Sequence, residues 1–407
     1  MRSGQQVIEG RGGAVAVRAR TAWVDNLRVA LIAGVVVAHA ATAYIVDVSW
    51  YYEERTTSTL TPLVLSFPIF LAAVFGLGPL FLVAGAFSAR SLQHKGPAAF
   101  ARGRLVRLGV PLVVFVLVLD PITDYLGDLG SPAHQNLWAY LTDRTGTRDL
   151  GPMWFVAALL LFCLAYAAWR WRHPRAEVSG ETVETWQLAL FAGSVAVVSW
   201  LTWMAVTYRS VTFINFNWAH WPQAGGLFVL GVMAGERGWL ETFTATRARR
   251  CGWIALTGML ILCGLAGMSL ASDDFASLVG GPHWQSAAFA FVTGVVAVTL
   301  GMWITAWFER RWDHAGPVAR HAGRGSYAAY VVHPTVLVAL SLAVMALAVA
   351  PEAKFVIVAA IGVPLTFMVG YGLTQVNCCA RHGASGWPSL GSAKARQTAS
   401  GSPVSSN

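Results

Sequence analysis

Two ionisable side chains stand in the first apolar run of the chain: Arg28 near its start and His39 eleven residues later. Eleven helical steps of 100° close three turns plus about 20°, so both point along nearly one face, about 16.5 Å apart along the axis. His39 then lies near the middle of a hydrocarbon layer about 30 Å thick. Ionisable groups at that depth are costly and mark functional sites by default. An imidazole exchanges protons near neutral pH and suits a general base. The competing reading is a hydrogen bond to a neighbouring helix, through Ser, Thr or a carbonyl.

A second constellation follows the second apolar run. Arg102, Arg104 and Arg107 sit in a basic stretch, with Arg104 and Arg107 three apart and hence on one helical face. Planar guanidinium groups bind phosphate oxygens two at a time. The bland alternative is a topogenic cluster meeting anionic lipid headgroups. Asp120 comes 13 residues after Arg107, about 19.5 Å deeper if the helix continues past Pro111. It could there hold the second nitrogen of His39, or simply end a helix in water before Pro121. Tyr330 and His333 share a face late in the chain. They serve a donor near the inner surface, or His333 satisfies carbonyls freed by Pro334. Asn215, Asn217, Trp218, His220 and Gln223 would line the outer mouth of the sixth apolar run, as acceptor contacts or interfacial anchors. Walker A, Gly-x-Ser-x-Gly and zinc-spaced His/Cys patterns are absent from the sequence, so no metal is expected.

These residues need a membrane framework to position them. Hydrophobic residues make up 56% of the 407, charged residues only 12%, and 18 are Trp. A soluble protein carries about 25% charge, so several soluble domains are excluded. The expected fold is all-α and polytopic, with about ten transmembrane helices at 27–47, 65–87, 105–126, 153–169, 186–207, 218–235, 252–271, 285–307, 327–349 and 354–376. The sixth, short and polar at its start, is the weakest. With both termini cytoplasmic, 24 of the 29 Lys and Arg face inward and 5 outward, as the positive-inside rule requires. The surplus of +9 thus has a topological cause, and nucleic acid is not an expected partner. Residues 1–20 read as a cytoplasmic tail without a cleavable signal, 21–377 as the membrane domain and 378–407 as a disordered tail. No external disulfide is expected from the five cysteines.

The pairing of Arg28-x10-His39 with Arg104-x-x-Arg107 resembles acyltransferase family 3, membrane O-acyltransferases of about ten spans. ValAspAsnLeuArgValAla, GlyProLeuPheLeuValAlaGlyAlaPhe, GlyProMetTrpPheValAlaAlaLeuLeuLeuPhe and the late TyrValValHisPro segment are similar too, and the likeness runs from Trp23 to Asn377. It implies transfer of an acetyl- or succinyl-class group from cytoplasmic acyl-CoA, a co-substrate, with no resident cofactor. The acceptor would be a hydroxyl of a glycan, lipid-linked sugar or secreted metabolite. His39 would be general base, by direct attack or through an acyl-histidine. Arg28 would hold the donor or support charge on the thioester oxygen, and Arg104 and Arg107 the CoA phosphates. The cell membrane is the expected location. The rival class is a secondary transporter or flippase for a lipid or sugar, against which the lack of an internal repeat counts.

Overall fold

The computed structural model describes residues 22–45, 50–54, 58, 60–72, 77–129, 136–143, 150–174, 183–206, 216–239, 243–314 and 316–384, which are helical with no strand among them. The expected tails, residues 1–20 and most of 378–407, lie outside the described residues, as does Asn215. The helices are α1 (Ala22–Thr42), α2 (Leu60–Leu71), α3 (Gly78–Lys95), α4 (Pro97–Asp128), α5 (Leu137–Asp143), α6 (Trp154–Arg172), α7 (Thr185–Ala205), α8 (Trp221–Arg237), α9 (Ala245–Ala271), α10 (Ala276–Val279), α11 (Trp284–Arg311), α12 (Pro317–Val344) and α13 (Pro351–Ala384).

Among the described residues, eight helices are long and apolar enough to cross a membrane: α1, α4, α6 (counted from Gly151), α7, α9, α11, α12 and α13. The other two expected spans take a different form. The second holds α2 and α3, with residues 73–76 between them outside the described residues, and the sixth is α8, only 17 residues long. The physical reason is the way α3 and α8 pair. A Cβ on Gly85 would meet the Phe228 carbonyl oxygen at 2.2 Å, and one on Gly231 the Leu82 carbonyl oxygen at 2.0 Å. Small residues thus let the two backbones touch. A helix buried this way needs less apolar surface than one facing lipid.

Contacts between helix ends sort the bundle into two ends. Asn26 Nδ2 at the start of α1 donates to the Trp312 and His314 carbonyls after α11. Arg310 at the end of α11 reaches the Phe243 carbonyl before α9. Arg247 in the first turn of α9 reaches the Val183 carbonyl before α7. Arg104 joins the last turns of α3 through Ser88. These ends carry most of the basic residues and form the basic end. At the opposite end, Trp203 Nε1 near the end of α7 donates to the Ala219 carbonyl before α8. Exposed indoles, among them Trp169, Trp171, Trp186, Trp253 and Trp284, sit near helix ends, where a bilayer interface would take them.

α4 passes Pro111 and Pro121 without a break, as a helix with two π-turns, Leu105–Gly109 and Phe115–Leu119. Each wide turn directly precedes a proline that cannot donate its backbone bond, which is how the ladder re-registers. One side of α4 exposes Val106, Val110, Val113, Val114, Leu117, Val118 and Ile122. The other buries Phe115, Asp120 and Thr123, with Thr123 Oγ1 2.6 Å from Thr335 Oγ1 of α12. Replacing Gly231 by Val should destabilise the folded protein by about 1–3 kcal/mol, through forced separation of α3 and α8. Thermal unfolding in detergent checks this; an unchanged midpoint would contradict the backbone contact.

Candidate functional site

His39 projects from the last turn of α1, and the hydrogen bond it makes sets its chemistry. Nδ1 lies 3.0 Å from the Val35 carbonyl oxygen one turn back. A carbonyl only accepts, so Nδ1 carries the proton and Nε2 keeps a bare lone pair. The ring is only partly buried. Trp50 stacks on it, with centroids 4.7 Å apart and planes 22° from parallel. His333 of α12 packs at 5.0 Å.

His333 is wholly buried, and its position follows from Pro334. Pro334 has no N–H to give the Tyr330 carbonyl four residues back. His333 Nδ1 takes that carbonyl instead, at 2.6 Å. Its Nε2 is buried without a hydrogen-bond partner. Tyr330 donates its hydroxyl to the Pro152 carbonyl at the entrance to α6. Tyr330 and His333 are thus brought together, and His333 packs against His39 sixteen residues into α12. The kink-satisfying alternative describes its Nδ1.

Asp120 reaches this cluster by another route. It is 1% exposed, and Oδ1 accepts from the Tyr51 hydroxyl at 2.9 Å. The expected bond to the second nitrogen of His39 is replaced by the Val35 carbonyl, which is closer because it belongs to the same helix. Tyr51 meets Trp50 edge-on at 5.2 Å, so Asp120 reaches the imidazole through two aromatic rings. Trp50 and Tyr51 were not singled out by sequence, although the run Trp50-Tyr51-Tyr52 directly after the first apolar segment was a visible signal.

The stretch 50–54 is pinned from several sides. A Cβ on Gly127 would lie 1.8 Å from the Tyr51 carbonyl oxygen, and one on Gly151 2.5 Å from its hydroxyl. Gly151 also has φ +45°, a left-handed conformation that favours glycine. The Glu54 N–H donates to the Ala43 carbonyl at 2.8 Å. Lys354 at the start of α13 gives one bond to Glu54, at 2.7 Å, and one to the Met345 carbonyl that ends α12. Burial, with the Glu54 carboxylate beside it, raises the Tyr52 phenol above its ordinary range, so it stays a donor.

At the basic end, Arg28 is exposed and paired with Asp25 at 3.3 Å. Arg104 turns partly inward: its guanidinium lies 5.0 Å over the Phe100 ring and donates to Ser88 Oγ at 3.2 Å. Ser88 in turn touches Cys163 of α6 at 3.6 Å. Arg102 and Arg107 are exposed. Arg107 falls inside the first π-turn, Leu105–Gly109, which begins one residue after Arg104. Asn217 adopts a left-handed conformation before the turn Trp218–His220, and His220 packs on Trp154 at 5.6 Å.

A groove of about 680 Å³ between α6 and α8 is lined by Phe162, Trp169, Val229 and Met233 and closed by the buried Arg170–Glu236 pair. Neither His39 nor Arg104 lines it, so it is separate from this constellation. Groups of three or more metal-ligating side chains are absent among the described residues.

Fold and site together define a polytopic helical membrane protein with a histidine embedded between an aromatic cover and a field of arginines. A family model described as Acyltransferase domain (Acyl_transf_3) matches residues 21–374. The chain belongs to that acyltransferase family. No curated protein and no solved structure matches it. Replacing Lys354 by Met should cost about 3 kcal/mol, because Glu54 and the Met345 carbonyl lose their shared partner. Detergent melting reads this; an unchanged midpoint would show that the latch contributes nothing.

Proposed function

We propose that the protein is an O-acyltransferase that moves an acyl group, of acetyl or succinyl class, from cytoplasmic acyl-CoA to a hydroxyl on an acceptor from the other side. The acceptor class is a glycan, lipid-linked sugar or secreted metabolite, and the membrane is the cell membrane. The observation that carries the reading is the bare Nε2 of His39, fixed by the Val35 bond, on the same unbroken helix as Arg28.

In this mechanism His39 Nε2 takes the proton of the acceptor hydroxyl as its oxygen attacks the thioester carbonyl carbon. The carbon–sulfur bond breaks, and the CoA thiolate recovers the proton from His39. Arg104, with Arg107 and Arg102 around it, holds the CoA phosphates at the basic end, placed on the cytoplasmic side by the charge bias. Arg28 anchors the same phosphates from α1. The pantetheine arm has about the length of three helical turns to cover between Arg28 and His39. No metal or resident cofactor enters the step.

His39→Ala, at equal abundance in the membrane, should lower acyl transfer by about 10²–10⁴-fold. Thiol release from acetyl-CoA and succinyl-CoA, followed in membrane vesicles, reads it, and wild-type turnover would remove His39 from the role. Arg104→Glu with Arg107→Glu should raise the donor KM at least tenfold, one to two charge-assisted bonds being lost. An unchanged donor KM would return these residues to topology alone.

A further inference from the structure

Asp120 is a carboxylate of a membrane-spanning helix, 1% exposed, and its Oδ1 accepts from the Tyr51 hydroxyl at 2.9 Å. Such a group is expensive to keep there. From that hydroxyl the contacts run on: Tyr51 is edge-on to Trp50, and Trp50 is stacked on His39. We propose that Asp120, Tyr51 and Trp50 form a positioning relay that fixes the plane of the His39 imidazole, leaving Nε2 approachable in the ring plane. This rests on the reading of His39 as the base.

Geometry supports the relay at each link. The Val35 bond fixes which nitrogen is bare but leaves the ring free to swing about that hydrogen bond. A stacked indole at 4.7 Å with planes 22° apart removes that freedom from one face. Trp50 lies in a stretch outside the regular helices, so it holds a plane only if the stretch is held. Tyr51 supplies the hold: its carbonyl abuts Gly127 and its hydroxyl abuts Gly151, where no side chain would fit. Its hydroxyl is then captured by Asp120, which sits just past the second π-turn of α4 and just before Pro121. A charged acceptor makes this bond stronger than a neutral one would be. An imidazole lone pair lies in the ring plane, so a base whose plane is set accepts a proton from one direction only. The relay therefore selects the approach of the acceptor hydroxyl.

The test combines carbethoxylation of His39 by diethyl pyrocarbonate, read by mass spectrometry, with thiol release from acetyl-CoA in membrane vesicles. Variants are Trp50→Ala, Tyr51→Phe, Asp120→Ala, Asp120→Asn and the Tyr51→Phe/Asp120→Ala double. Expected is a severalfold faster labelling of His39 in Trp50→Ala, Tyr51→Phe and Asp120→Ala, with His220 labelled at the wild-type rate. Turnover falls about tenfold while the KM for acetyl-CoA stays within twofold. Asp120→Asn, which keeps an acceptor oxygen, stays close to wild type, and the double variant is no worse than Asp120→Ala. Unchanged His39 labelling, multiplied effects in the double variant, equal loss in Asp120→Asn, or loss of folding in every variant overturns the relay. His39→Ala measured alongside separates the two claims. Undiminished thiol release there defeats the base assignment, whereas the labelling pattern judges the relay alone.

Discussion

The hydrogen bond from His39 Nδ1 to the Val35 carbonyl is the interaction on which the rest of the site depends. It costs the fold nothing beyond a side-chain rotamer, since the carbonyl lies one turn below on the same helix. It also decides the tautomer, and with it which nitrogen can take a proton. The same device recurs at His333, where the available carbonyl exists only because Pro334 cannot use it. Two imidazoles 5.0 Å apart are thus both oriented by backbone oxygen, with no carboxylate partner among the described residues. A carboxylate bonded directly to His39 would bring a charge against the ring. Asp120 instead connects to it through two aromatic rings, Tyr51 and Trp50.

The bundle is arranged to hold that ring in place. α1 runs unbroken from the arginine field to the imidazole, α12 brings His333 against it, and α4 presents Asp120 from its protein-facing side while its other side meets lipid. The backbone contact of α3 with α8, made at Gly85 and Gly231, brings Ser88 near Cys163 and Arg104. Arg104 is therefore positioned by the same close packing that lets two shorter helices lie inside the bundle. Charge at one end and aromatic cover at the other give the single helix α1 two chemically distinct approaches.

Much of this was legible in the sequence. The membrane class followed from charge poverty, and the family from Arg28, His39, Arg104 and Arg107 at their spacings. Separation along one helix, as between Arg28 and His39, was readable because it depends only on rise per residue. Lateral partners were not. Whether Asp120 and His39 touch depends on how α4 and α1 are rotated, which two π-turns alter by amounts that no hydropathy pattern encodes. His333 lies sixteen residues into α12, which begins at Pro317, ten residues before Tyr327. Trp50 and Tyr51 lay in a stretch with no periodicity, and only tertiary contacts with Gly127, Gly151 and Asp120 reveal their place.

The central claim is that His39 presents a bare Nε2 inside the membrane domain. Nitrogen-15 magnetic resonance of histidine-labelled protein in bilayers at neutral pH, with His39 assigned by difference against His39→Gln, tests it directly. The account predicts a protonated Nδ1 and an unprotonated Nε2 for that residue. A proton found on Nε2, with Nδ1 bare, would contradict it, because the Val35 bond could not then exist and the base would face its own helix.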